Sequence, residues 1–197
     1  MHTTIRAAAL AAAAALWTLS AQAATGTLVF DVKPFTSAVK LKEKIENRLK
    51  TGGIEWGAAD GQLVITTVNK RFIRFDLPHM TRYGESKTLE LAPGTYTLHA
   101  PSFIPEGGLS VEKALAKGAF FNMDLLTFEI AEGKSTTLEV HPTIQSESTF
   151  LLKFYMPQLL VKLVEDGVVR QELVINERTD KSIAWNDYHG PLKFTVE

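Results

Sequence analysis

Few residues in this chain have the type and spacing that chemistry demands. A serine hydrolase of the nucleophile-elbow kind needs G-x-S-x-G, and that motif is missing. The chain has no cysteine for a thiol mechanism, no H-E-x-x-H zinc helix and no glycine loop of the phosphate-binding type. After the first segment the histidines are His79, His99, His141 and His189, far apart in sequence. Strand alternation turns His99 and His141 outward, beside Thr97 and Glu139. If their strands were neighbours, two imidazoles and a carboxylate would meet, but exposed sheet histidines are commonplace and neither a metal nor any other cofactor is expected. Glu55, Asp60, Glu90, Glu129 and Glu139 read as solubilising charges, not as the facing acids of a glycosidase.

One cluster stands apart. In Trp185 to Pro191 (WNDYHGP) two aromatic rings lie among short polar groups, the combination that covers a sugar or peptide face while hydrogen-bonding its edge. Trp185, Asp187, Tyr188 and His189 are the candidate contact group, and Trp56 in IEWG is a possible second platform. The competing reading makes Trp185 core and Asn186 to Gly190 a turn with Tyr188 packed over its end. A basic strand end, Lys70, Arg71 and Arg74 with Arg82 and Lys87 beyond, would suit an anionic partner or simply guard an edge strand by charge.

The elements that must hold these residues are mostly strands. Gly26 to Lys33 alternates Leu28, Phe30 and Val32 against polar neighbours. Thr36 to Lys50 reads as a helix with Phe35, Ala38, Leu41, Ile45 and Leu49 on one stripe, Thr36 or Ser37 as cap and Gly52-Gly53 as stop; a strand is the alternative. Asp60-Gly61 and Asp166-Gly167 are hairpin pairs, and Asn69-Lys70 separates Leu63 to Val68 from Arg71 to Leu77. Lys87 to His99 reads as a hairpin about a type II Pro93-Gly94 turn, and Leu126 to His141 as a second hairpin about Glu132-Gly133-Lys134. Between them Ser110 is placed to cap a short helix through Lys117.

The expected core is Phe30, Phe75, Leu89, Leu91, Tyr96, Leu98, Leu126, Phe128, Ile130, Leu138 and Val140. The polar run Gln145 to Thr149 is the one place for a boundary. The expected organisation is thus a β-sandwich domain over 24–145 and a C-terminal β segment over 146–197 that packs on it or completes its sheets. The fold class is mainly β, an antiparallel β-sandwich of transthyretin-like or Ig-like kind with one or two short helices.

The order FDLP (Phe75 to Pro78), LELAPGTYTL (Leu89 to Leu98) and LTFEIAEGKSTTLEV (Leu126 to Val140) resembles the transthyretin-like, carboxypeptidase-regulatory-like group of small β-sandwiches. The resemblance covers about residues 72–141, rests on structural motifs and departs from the group in the insert Ser102 to Asp124. It implies a usually non-catalytic module and carries no active-site residue across.

Met1 to Ala23 has the form of a secretory signal of bacterial type: Arg6, an apolar core from Ala7 to Leu19, and Ala21-Gln22-Ala23 as cleavage site. The apolar run is shorter than the roughly 18 to 20 residues that span a bilayer, and the mature chain has no later transmembrane segment. Without cysteine neither lipid attachment nor a disulfide is possible. Removing Arg6 from 21 basic residues leaves 20 against 22 acidic, a balance that argues against a nucleic-acid partner. These features point to a periplasmic or secreted, non-catalytic binding or envelope-assembly module with a protein or carbohydrate partner in the cell envelope. The alternative is a secreted carbohydrate-active or other hydrolytic enzyme whose site has no familiar signature.

Overall fold

The computed structural model describes residues 24–66, 73–103, 118–148, 153–175 and 177–196. In chain order it contains β1 (Gly26–Val32), β2 (Thr36–Ser37), α1 (Glu43–Lys50), β3 (Gly53–Ala59), β4 (Gln62–Thr66), β5 (Ile73–Phe75), β6 (His79–Arg82) and β7 (Ser86–Leu91). There follow β8 (Gly94–Phe103), β9 (Ala119–Ile130), β10 (Ser135–Ser148), β11 (Lys153–Glu165), β12 (Val168–Ile175), β13 (Ser182–Ala184) and β14 (Phe194–Val196). The protein is mainly β. One sheet has the order β12-β11-β10-β1-β7 with β2 beside β10, a second β13-β9-β8-β4-β3-β6, and β14 pairs with β5 alone.

The period-2 alternation determines which faces meet. Leu28, Phe30 and Val32 of β1, Leu138 and Val140 of β10 and Leu159, Val161 and Leu163 of β11 line the first sheet. Ile54, Trp56, Leu63, Ile65, Leu98, Leu126, Phe128 and Ile130 line the second, and all share one core. Phe30 stacks on Trp56 across the gap with ring centroids 4.4 Å apart. The expected core residues lie in this cluster, Leu89 and Leu91 partly buried at its edge; the side chain of Phe75 lies outside the described residues.

Two hairpins keep the form expected of them. Asp60 and Gly61 (φ 49° and 73°) and Asp166 and Gly167 (φ 52° and 75°) both take the left-handed conformations of a two-residue type I′ loop. β3–β4 and β11–β12 pair antiparallel across them.

The two longer hairpins are a correction. β7 pairs with β1 in the first sheet and β8 with β9 and β4 in the second, so Pro93-Gly94 carries the chain between sheets. Gly94, at φ 150°, is far from the φ near +80° of a type II turn. Likewise β9 and β10 lie in different sheets, with Gly133 at φ 65° between them. An arch and a hairpin bring the same apolar residues together, one by facing side chains and the other by sharing a face, so alternation cannot separate them. Antiparallel pairing prevails, but β1–β10, β4–β8 and β2–β10 are parallel.

The helix is shorter than expected. Thr36–Ser37 pair with Thr143 and Ile144 of β10, and the helix starts at Glu43 with no side-chain cap. Phe35 and Leu41 are buried against Ile144, with Leu49 and Tyr83 beside them. Glu43 and Glu46 in its first turn and Arg48 and Lys50 in its last suit the helix dipole, and Lys50 pairs with Glu46 at 2.6 Å. Gln145 to Ser148, read as a boundary, continue β10 and pair with Met156 to Lys153. The helix expected after Ser110 and the turn at Asn69-Lys70 lie outside the described residues.

Candidate functional site

The Trp185 to Pro191 stretch covers the face of the second sheet that points away from the main core. Ser182 and Ala184 of β13 pair with Asn122 and Phe120 of β9, and the chain then enters a single 3₁₀ turn, Trp185–Asp187. At three residues per turn, residues 185 and 188 fall on one line. Trp185 (6 % exposed) and Tyr188 (8 %) are accordingly buried, while Asn186, Asp187 and His189 face solvent. The structure therefore divides the candidate group into two anchors and two exposed polar residues.

The anchors are held tightly. The Tyr188 ring lies on Phe121 at 4.0 Å and 7° in a small second core with Val64 and Leu192, flanked by Ala59, Leu77, Met123 and Ile183. Its hydroxyl donates to Gln62 Oε1 at 3.1 Å, and burial pushes the phenol up to about 12. A Cβ at Gly190 would collide with that hydroxyl oxygen, and one at Gly57 would meet Pro78 at 2.7 Å and Leu192 at 3.1 Å. Those glycines let the segment lie flat on the sheet. Asn122 Nδ2 donates to the Glu177 carbonyl at 2.9 Å, Ser182 Oγ donates to Asn122 Oδ1, and the Arg178 guanidinium lies 4.4 Å above Phe120.

Trp56 is no second platform. It is fully buried, with Nε1 donating to Thr81 Oγ1 at 2.9 Å and its ring tilted 4.7 Å from His79. The two histidines weighed as a pair lie on different sheets, His99 on β8 and His141 on β10. Among the described residues no group of three His, Cys, Asp or Glu side chains is placed to hold a metal. His141 instead faces Glu139 at 3.4 Å, and Glu139 also meets Lys33 at 3.2 Å.

His99 points away from the main core as alternation requires, on the side of its β4 partner Val64, but it is buried because that face is covered too, and it meets an irregularity that the sequence does not announce. The β8–β9 register shifts between Leu98 and Ala100, and the freed backbone N–H of Asp124 donates to His99 Nδ1 at 3.0 Å. Burial lowers the His99 pKa, and the Asp124 charge opposes that effect. An Asp-oriented catalytic histidine must donate Nδ1–H to the carboxylate. His99 accepts at Nδ1 and carries its proton on Nε2, so the His99–Asp124 pair closes a bulge and is not a catalytic dyad.

Glu55 corrects a second surface reading: it is 8 % exposed, opposite Thr66 in the β3–β4 ladder. Of the basic strand end, Lys70 and Arg71 and the side chain of Arg74 lie outside the described residues. Arg82 reaches the Thr51 carbonyl at 3.4 Å, and Lys87 Nζ lies 3.1 Å from His79 Nδ1. The i, i+3 spacing of Trp185 and Tyr188 was the sequence signal for their shared burial; the buried polar positions of β3, β8 and β9 had none.

Fold and site together define a two-sheet β-sandwich whose second sheet is covered on its far side by the C-terminal segment. No family model matches the chain, and neither a curated protein nor a solved structure matches it.

Proposed function

We propose that this is an exported, non-catalytic binding or envelope-assembly module, periplasmic or secreted after cleavage near Ala23, that contacts a protein or carbohydrate of the cell envelope through the Trp185–His189 turn. One observation carries the reading: Trp185 and Tyr188 are anchored beneath, while Asn186, Asp187 and His189 stand exposed on the same short turn. A loop already fixed by its anchors loses little conformational freedom when a partner orders its exposed groups. The transthyretin-like lineage is part of the same proposal and is supported by the motif order of residues 72–141 and by the two-sheet packing.

The test compares the wild-type protein with Asp187→Ala and His189→Ala for capture of partners from envelope extract and from a glycan panel. Both variants should melt like the wild type and lose the captured partner. Full retention of every partner by both would remove the turn from the contact surface. Mass spectrometry of exported material should find the N-terminus at or beside Ala24; an intact Met1 would remove the localisation.

A further inference from the structure

β6 and β7 are edge strands of different sheets, β6 beside β3 and β7 beside β1, and the short turn Tyr83 to Glu85 joins them. Residues directly opposite in an antiparallel pair share a face. His79, opposite Trp56, and Lys87, opposite Phe30, are therefore turned to the same gap as the Phe30–Trp56 stack. They form the next row outward. There Lys87 Nζ comes within 3.1 Å of His79 Nδ1, and the centroid of the imidazole lies 4.7 Å from that of Trp56. The Lys87 chain, starting beside Phe30 and ending on His79, closes the open side of that stack.

This contact dictates a protonation state. An ammonium group has three donors and no acceptor, so the Nδ1 that meets it must be an unprotonated acceptor. A proton on that nitrogen turns the hydrogen bond into an encounter of two donors and two cations. Lys87 is the charge that β7 turns toward the ring. On β3 the facing residue is Trp56, with Glu55 on the other side of the sheet; on β1 it is Phe30, while Asp31 and Lys33 pair with each other on the outer face. Arg82 of the same strand reaches away to the Thr51 carbonyl, and Asp76 and Glu85 stand exposed before and after the strand. Burial and the Lys87 charge lower the His79 pKa, and a hydrogen bond to the Pro78 backbone opposes them. The Trp56 ring receives an imidazolium favourably, since a cation within about 6 Å of an aromatic centroid is attracted to it. The group that must leave on protonation is therefore Lys87, on its flexible stem. We propose that His79 and Lys87 form a proton-sensitive latch across the open side of the sandwich, closed while the imidazole is neutral and released when it takes a proton. The latch faces the gap between the sheets, whereas the Trp185–His189 turn covers the far side of the second sheet, so the two proposals fail independently.

Amide hydrogen exchange of the full chain, corrected for the intrinsic pH dependence of exchange, tests the latch. Between about pH 7.5 and pH 5 the β6 and β7 amides should lose about tenfold or more in protection, with β10 and β11 changing far less. Lys87→Met keeps an apolar stem without the charge. In that variant the local pH response should disappear, and the His79 imidazole, followed by NMR, should titrate at a higher pH than in the wild type. His79→Gln offers Lys87 an amide oxygen that takes no proton, and protection of β6 and β7 should hold across the same range. A wild type whose β6 and β7 lose protection only in step with β10 and β11 would overturn the proposal. So would a Lys87→Met variant with an unchanged His79 titration or an unchanged pH response, the result expected of an inward lysine that merely guards an edge strand. Matching far-ultraviolet circular dichroism spectra at neutral pH separate a lost latch from lost folding, and if His79→Gln does not fold, Lys87→Met decides alone.

Discussion

Tyr188 shows how one side chain joins a local turn to a distant strand: it is offered by a 3₁₀ turn, stacks on β9 and donates to Gln62 in β4. Tyr188→Phe keeps the stack and should cost about 1 kcal/mol for the lost hydrogen bond. Tyr188→Ala should cost roughly 3 to 5 kcal/mol, as large aromatic truncations do. Urea denaturation of the pair distinguishes an anchor from a surface ring, which would give small values for both. His99 makes a prediction in pH. Its folded pKa is lowered by burial, so the unfolded chain binds the proton more readily. The stability it contributes is therefore complete above about pH 6.5, the ordinary histidine value, and is lost as pH falls through the lower folded value. His79 shifts the same way, from burial and from the neighbouring Lys87 charge. His99→Asn retains an acceptor for the Asp124 N–H, and its denaturation midpoint should fall less than that of wild type between pH 8 and pH 5.5.

At the scale of the element, the turns carry different constraints under similar sequences. Gly61 and Gly167 both occupy the second position of a type I′ loop, so replacing either with alanine strains the backbone by about 1 to 2 kcal/mol. A Cβ at Gly61 would also press on the Thr95 carbonyl oxygen at 3.1 Å, whereas Gly167 has nothing within 4 Å. Gly61→Ala should therefore lower the denaturant midpoint more than Gly167→Ala; equal effects would mean that the β4–β8 contact yields freely. Both D-G pairs were legible as hairpins, because the left-handed demand of the turn is written in the residues that meet it. Pro93-Gly94 and Glu132-Gly133 were equally legible as turns and misread as hairpins. Nothing in a turn of that kind states whether the next strand hydrogen-bonds to the last one or packs across from it.

For the molecule as a whole, packing must supply the stability that disulfides cannot. Phe128, 3 % exposed in the common core, should cost roughly 3 to 5 kcal/mol when truncated to alanine. A near-neutral result would place its face of β9 outside the core. After residue 23 the chain has two tryptophans, Trp56 and Trp185, and both are buried. Fluorescence of the folded protein should accordingly be blue-shifted and move to the red in one transition on unfolding, together with loss of a sheet-dominated circular dichroism spectrum. Separate transitions would mean that the covering C-terminal segment, which holds Trp185, comes off before the sandwich opens.

The sequence by itself determined the long alternating strands, the faces they turn to the main core and the two I′ loops, since each depends on neighbours one to four residues away; the short strand β2 and the burial of Glu55 and His99 it did not. It left undecided which strands pair. The first sheet places β1, the first strand of the chain, parallel to β10 and antiparallel to β7. Only the simultaneous burial of both sheets selects that order. The same holds for the aromatic turn: its composition suits an exposed binding surface as well as a packed lid. What turned Tyr188 inward was the apolar face of β4 and β9, with Val64 and Phe121 requiring cover and the missing side chains of Gly57 and Gly190 giving the covering segment room to lie against it.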